Sequence, residues 1–345
     1  MRRAAVLVSA LLCVLWAAPA SPARKHHRHH HRTQHHKRHH RRPAAPAPAY
    51  PPPPQGPALD VDPTALDTAL TCPDGLRHPD KPVVLLVHGT ATTATETWPE
   101  GLGKTLPLAG FDWCMVQLPD RALGDIQISN QYVVAAVRTL ARRTRRRVDL
   151  IGHSQGGLQT RWAIRWWPDV AQIVEDDITF AGSNDGVASA SADCSGGRCP
   201  PSVWQQRQGS ALEAALNRRP MPAGPSYTAI HSATDELIQP TSSGTFAGAS
   251  DILVQDVCPG RYVGHVQAVY DAVYIAFALD ALTHAGPASK ARVGNAPCSQ
   301  VYGPGIDPAQ ATAGIHTLYE NAAIATADHP TTDAEPPLRA YARTG

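Results

Sequence analysis

RVDLI (147–151), GHSQG (152–156) and LQTRWAIRWW (158–167) follow one another with only Gly157 between the second and the third. The first reads as a buried strand and the last as a helix stopped at Pro168. Glycine at 152 and 156 leaves room for a close strand–helix approach, and the serine between them takes a strained backbone. Ser154 is thereby pushed out at the carboxyl end of the strand, beside a helix N-terminus that favours developing negative charge. A plain glycine-rich turn can show the same pentapeptide. The strand before it and the helix after it set this one apart.

The rest of the chain repeats the alternation. KPVVLLVHGT (81–90), FDWCMVQL (111–118, stopped by Pro119), DITFAG (177–182), SYTAIHS (226–232) and DILVQDV (251–257) read as further strands. Residues 129–143 read as a helix with Tyr132, Val133, Ala136, Val137 and Leu140 on one face, and VQAVYDAVYIAFALDAL (266–282) as one long helix. Apolar strands alternating with helices imply an α/β fold, a mostly parallel central sheet with helices on both faces. Trp162, Trp166 and Trp167 have the spacing of a packed helix. Residues 187–192 and the alanine-rich 309–326 read either as walls of an apolar entrance or as surface helix.

The chain has 345 residues, 43% of them hydrophobic, enough for a sizeable core. Its formal charge of +2 conceals segregation. Ten of the 31 basic residues precede Asp60, the first acid, which leaves 21 against all 29 acids, a net of −8 for the body. Such a body excludes nucleic acid as its partner. Residues 1–23 read as a secretory signal peptide: Arg2 and Arg3, an apolar stretch, then small-residue cleavage sites at 18–20 and 21–23. The stretch is short of the roughly 20 residues that span a bilayer, and no later segment qualifies. Residues 24–42 hold nine histidines and eight basic residues with nothing to bury, the composition of a disordered arm. Residues 43–57 form a proline-rich linker, and 58–345 the catalytic body. The arm is either a solvated tail or a contact to metal or an anionic cell surface.

A serine hydroxyl needs a base, and the base an orienting acid, in the chain order Ser, Asp or Glu, His. Of the later histidines, His265 stands in a glycine-containing loop between a strand and a helix. His231 lies within a strand, His284 ends a helix, and His316 and His329 have less defined surroundings. Asp235 follows a strand in the turn ATDE, with Glu236 as its neighbour. Asp256 is the reserve acid, and Asp251 stands at the wrong end of its strand. Oxyanion donors are expected from the N–H of Gln155 and from the loop His88-Gly89-Thr90, where Thr90 adds its hydroxyl. Cys13 would leave with the signal peptide. Of the six remaining cysteines, Cys194 and Cys199 are close enough to pair around SGGR; no histidine or cysteine pair at ligand spacing suggests zinc instead.

VLLVHGTATT (84–93), SQGGLQTRWAIRWWP (154–168), PSVWQQRQGSALEAAL (201–216), YTAIHSATDELIQP (227–240) and PLRAYAR (337–343) together resemble the Candida antarctica lipase B type of α/β-hydrolase. The resemblance implies an α/β-hydrolase fold over the whole body. It implies Ser154 as nucleophile, Asp235 as acid, His265 as base, and Thr90 and Gln155 as oxyanion donors. It also implies the disulfides Cys72–Cys114 and Cys258–Cys298. This chain departs from the type at His153, where the type commonly has Trp, at His88, where it has Pro, at Ser183, where it has an acid, and in lacking its C-terminal disulfide.

The expected function is a secreted, monomeric carboxylic-ester hydrolase, a lipase, with an ester or lipid substrate and no metal or organic cofactor. Polyester hydrolysis and acyl transfer are variants on the same fold. A catalytically inert surface- or metal-binding protein acting through its histidine-rich arm is the alternative of another class.

Overall fold

The computed structural model describes residues 50–343. The signal peptide (1–23), the arm (24–42) and the linker as far as residue 49 lie outside the described residues. Residues 50–57 lie along the body. Tyr50 Oη donates to the Arg146 carbonyl, the Gln55 carbonyl accepts from Arg138, and the Pro57 carbonyl accepts from Trp167 Nε1 at 2.9 Å.

Among the described residues seven strands form one sheet in the order β1-β3-β2-β4-β5-β6-β7. They are β1 Leu70–Thr71, β2 Val83–Val87, β3 Trp113–Val116, β4 Val148–His153, β5 Val174–Phe180, β6 Ser226–His231 and β7 Ser250–Leu253. β1 is antiparallel to β3; every other pairing is parallel. β2 shows why the strands are apolar throughout. Side chains alternate between faces, and both faces are covered. Val84 and Leu86 enter one core, while Val83, Leu85 and Val87 enter the other.

Two expected elements come out differently. DILVQDV is strand only to Leu253 and continues as the short helix Val254–Val257. The helix expected over 266–282 is broken: Val266–Val269 is a 3₁₀ turn, and the helix proper runs Ala272–Thr283. Asp271 is the cause. Its carboxylate accepts the N–H groups of Val273 and Tyr274, a competing helix cap written into an otherwise apolar run. Pro168 does stop the Gln155–Trp166 helix, and it also opens the next one, Pro168–Ile173. The tryptophans are core. Trp162 and Trp167 are buried, and with Trp166 they surround Tyr341 at ring separations of 5.5–6.4 Å.

Disulfides join Cys72 to Cys114, Cys194 to Cys199, and Cys258 to Cys298. The first staples edge strand β1 to β3. The last ties the start of the loop after β7 to the segment beyond the 272–283 helix. No helix among the described residues is long and apolar enough to cross a membrane.

The Gln155–Trp166 helix starts hard against β2. A Cβ on Gly156 would lie 2.1 Å from the Val87 carbonyl oxygen, and one on Gly152 would lie 2.4 Å from the Gly156 backbone. Gly156→Ala is therefore expected to cost at least about 1–3 kcal/mol, read as a lower denaturant midpoint. An unchanged midpoint would refute this account of the glycines. Removing the Cys258–Cys298 bridge by paired alanine substitution is expected to cost about 2–4 kcal/mol in the same measurement.

Candidate active site

Ser154 occupies the junction of β4 with the 155–166 helix at φ +57° and ψ −126°, a region that residues other than glycine seldom enter. The surroundings hold it there. Its N–H donates to the Phe180 carbonyl at 2.9 Å, and its carbonyl accepts from Gly157 at 3.0 Å. A serine preceding a helix normally caps it with the hydroxyl. Here that bond is absent, and the residue lines a cavity of about 550 Å³.

His265 lies in the loop after β7 and lines the same cavity. Its Nδ1–H donates to Asp235 Oδ2 at 2.9 Å. Asp235 sits in the turn after β6, and its Oδ1 accepts the N–H groups of Leu237 and Ile238, each at 2.9 Å. The carboxylate is acceptor-only, so it places the ring proton on Nδ1 and leaves Nε2 bare. Burial opposes the charge on both partners, and their pairing overcomes it. Desolvation alone would depress the imidazole, but the charge and hydrogen bond of Asp235, helped by Glu236, raise its pKa above the ordinary 6.5. Desolvation alone would raise Asp235, but His265 and the two N–H donors hold it below the usual carboxylate value. Among the described residues the Ser154 hydroxyl makes no hydrogen bond to the ring. Such bonds commonly tighten only when substrate is present.

The other candidates lie elsewhere. His231 pairs through Nε2 with Asp251 Oδ1 at 2.6 Å, Asp256 with Lys290 at 2.9 Å, and His284 Nδ1 meets the Asp280 carbonyl at 3.0 Å. His329 Nδ1 meets the Pro330 carbonyl, and His316 lines a separate surface cavity. Among the described residues no group of three or more His, Cys, Asp or Glu is placed to hold a metal ion.

Thr90 and Gln155 face each other across the serine turn: Gln155 Nε2 donates to Thr90 Oγ1 at 3.0 Å. The same oxygen accepts from Gln206 Nε2 at 2.9 Å. With both lone pairs occupied, the Thr90 hydroxyl has only its proton left to offer. Gln206 was not singled out from the sequence, although it stands in the matched stretch PSVWQQRQ. Ser183 is buried and donates to Gln206 Oε1 at 2.9 Å. His88, where the resembled type has Pro, is fully buried, and desolvation pushes its pKa down to about 4. Its Nε2 accepts the Leu118 N–H at 3.0 Å and its Nδ1 meets the Gly89 carbonyl at 3.0 Å, which pins the turn that carries Thr90.

Much of the cavity wall is apolar. Val187 and Ala190 come from the segment entering the Ala188–Asp193 helix. Leu318, Ala322 and Ala323 come from the helix Pro308–Asp328. Both segments whose reading the sequence left open therefore line it. Its lining carboxylates are Asp193 and Glu236, and among the described residues no lysine or arginine lines it.

A parallel sheet in this order, turning from its central strand into a helix through a strained serine, is the fold of the α/β-hydrolases, and this chain has it. No family model matches the chain. It is 29% identical over 299 residues to lipase B of Pseudozyma antarctica, across 83% of this chain and 86% of that protein. The crystal structure of Aspergillus fumigatus lipase B superposes with a TM-score of 0.74 at 28% identity, covering 85% of this chain and 77% of that one. A Bacillus licheniformis lipase in its propeptide form shares the fold at a TM-score of 0.52 and 17% identity, over 64% of this chain and 55% of that one. The chain is a lipase-like carboxylic-ester hydrolase, similar to the lipase B type.

In Asp235→Asn, burial and Glu236 remain but the main group raising the His265 pKa is gone. The ring is expected to titrate lower than in the parent, followed by NMR of the imidazole protons. A titration point unmoved by the substitution would show that the pair does not set it.

Proposed function

We propose that the chain is a secreted serine hydrolase of uncharged carboxylic esters, a lipase acting on acylglycerols or esters of similar form through an acyl-enzyme on Ser154. His265 Nε2 takes the Ser154 proton as Oγ adds to the ester carbonyl, and Asp235 stabilises the imidazolium. The oxyanion accepts from the Thr90 N–H and hydroxyl and from the Gln155 N–H. The ring then gives its proton to the leaving alcohol. Water adds to the acyl-enzyme with His265 again as base, and the acid departs. The observation that carries this reading is an uncapped serine hydroxyl sharing one cavity with the bare nitrogen edge of a carboxylate-held imidazole.

The same reading assigns residues 1–23 as leader, 24–42 as arm, 43–57 as linker and 58–345 as catalytic body, acting as a monomer. Three disulfides support export to an oxidising compartment. The substrate class rests on the lining. Apolar walls suit an acyl chain, and two carboxylates with no lysine or arginine beside them among the described residues disfavour an anionic one.

A fluorophosphonate probe is expected to label the protein at one equivalent, with labelling abolished in Ser154→Ala; folded protein that does not label would refute the serine mechanism. Thr90→Val keeps the backbone donor and loses the hydroxyl. Its kcat on p-nitrophenyl butyrate is expected to fall roughly 100-fold with little change in KM. Because His265 must be neutral to accept a proton, and its pKa is raised, kcat/KM should fall as pH drops through a midpoint above about 6.5. An acid limb below that value would contradict the Asp235–His265 coupling. Replacing the butyryl group by a hemisuccinyl one should lower kcat/KM roughly tenfold or more.

A further inference from the structure

His265 is held at more than its ring. Its carbonyl oxygen meets His153 Nε2 at 3.0 Å, and its N–H donates to Glu236 Oε2 at 3.0 Å. We propose that His153 and Glu236 are positioning residues that clamp the peptide of the catalytic base from its two sides, while Asp235 orients the ring; the assignment rests on the triad reading above.

His153 is the residue immediately before the nucleophile, at the end of β4. Its ring lies beside the His265 ring, with centroids 4.8 Å apart and planes inclined at 40°. The ring is almost wholly buried, and desolvation with the neighbouring His265 pushes its pKa down to about 3. It is therefore neutral and carries one proton. A carbonyl oxygen cannot donate, so that proton sits on Nε2, and Nδ1, buried without a partner among the described residues, is the bare nitrogen. The bond runs from the nucleophile's own strand to the base's own backbone. A displacement of either is passed to the other.

Glu236 works from the opposite direction. One carboxylate oxygen accepts the His265 N–H, and the other accepts the phenol of Tyr319 on the 308–328 helix. Gly264 makes the approach possible: a Cβ there would lie 3.0 Å from Glu236 Oε2 and 2.1 Å from Gln267 Oε1. The titratable groups acting on the His265 ring are thus Asp235, Glu236 and His153, and Tyr319 reaches it through Glu236. Misplacing a catalytic group by about 1 Å costs on the order of 100-fold in rate, which sets the scale of what the clamp protects.

The test compares His153→Phe, which keeps a ring and loses the donor, with His153→Gln, which restores an N–H near the same place. Each is assayed on p-nitrophenyl butyrate and titrated with a fluorophosphonate, with circular dichroism to verify folding. His153→Phe is expected to lower kcat roughly 10- to 100-fold with KM within about twofold, and His153→Gln to recover most of the loss. A folded His153→Phe at parental kcat, or a His153→Gln no better than His153→Phe, overturns the clamp. Should His153→Phe not fold, Glu236 decides: Glu236→Ala is expected to lose more kcat than Glu236→Gln, and Glu236→Gln to shift the acid limb of the pH profile downward. Equal kcat in the two, or an unshifted limb, overturns the proposal. Parental protein that fails to label refutes the triad and the clamp together; normal labelling with an undiminished His153→Phe refutes the clamp alone.

Discussion

The turn at residues 152–156 can be built only if a helix begins almost in contact with a strand. Gly156 meets the Val87 carbonyl and Gly152 meets Gly156, so neither position has space for a side chain. That contact forces Ser154 to φ +57° and denies its hydroxyl the capping bond that a serine before a helix would otherwise make. The strain is held by ordinary means: the Phe180 carbonyl on one side and the first turn of the helix on the other. An uncapped hydroxyl is thus a by-product of close packing between β2, β4 and the helix. The rest of the site is arranged around a point that this packing defines.

The histidines around that point divide by protonation. Burial drives His88 and His153 to neutrality, where His88 fixes backbone with both ring nitrogens and His153 with Nε2 alone. His265 is equally buried, yet its pKa is raised, because it alone of the three faces an ionised carboxylate at hydrogen-bond distance. Three imidazoles in one small volume can coexist only in this way, since two charged rings side by side would repel. The neutral pair fixes backbone, and His265 is the one of the three whose proton affinity the fold raises. The two departures from the lipase B type at 88 and 153 are therefore polar braces, not loose ends.

The sheet and most of its strands were legible because both faces are covered, which leaves long apolar runs with clear stops. That Asp235 and His265 pair, and that Ser154 and His265 share one cavity, follows the chain order and loop positions that narrowed the choice. What the sequence concealed depended on side-chain contacts between distant segments. Asp271 reads as one polar residue in an apolar helix until its carboxylate is seen on two backbone N–H groups. Gln206 lies more than a hundred residues from Thr90, and no local pattern announces their bond. Glu236 looked only like a neighbour of Asp235; its work is done through a glycine 28 positions later and a tyrosine further on. Similarly, whether 309–326 was wall or surface had no answer in its alanine-rich composition, because it is both.

That double character has a consequence for how the enzyme changes over time. The 308–328 helix buries only Ala311 and Leu318, and it is moored by Tyr319 to Glu236 and by Asn321 to Glu96. Its small residues at 323 and 327 border the cavity while exposed, and Ala322 borders it while packing against the core. Mutational drift there can resize the cavity at little thermodynamic penalty. The seam of glycines under the serine tolerates no such experiment, so diversification of substrate range and preservation of chemistry fall to separate stretches of one polypeptide.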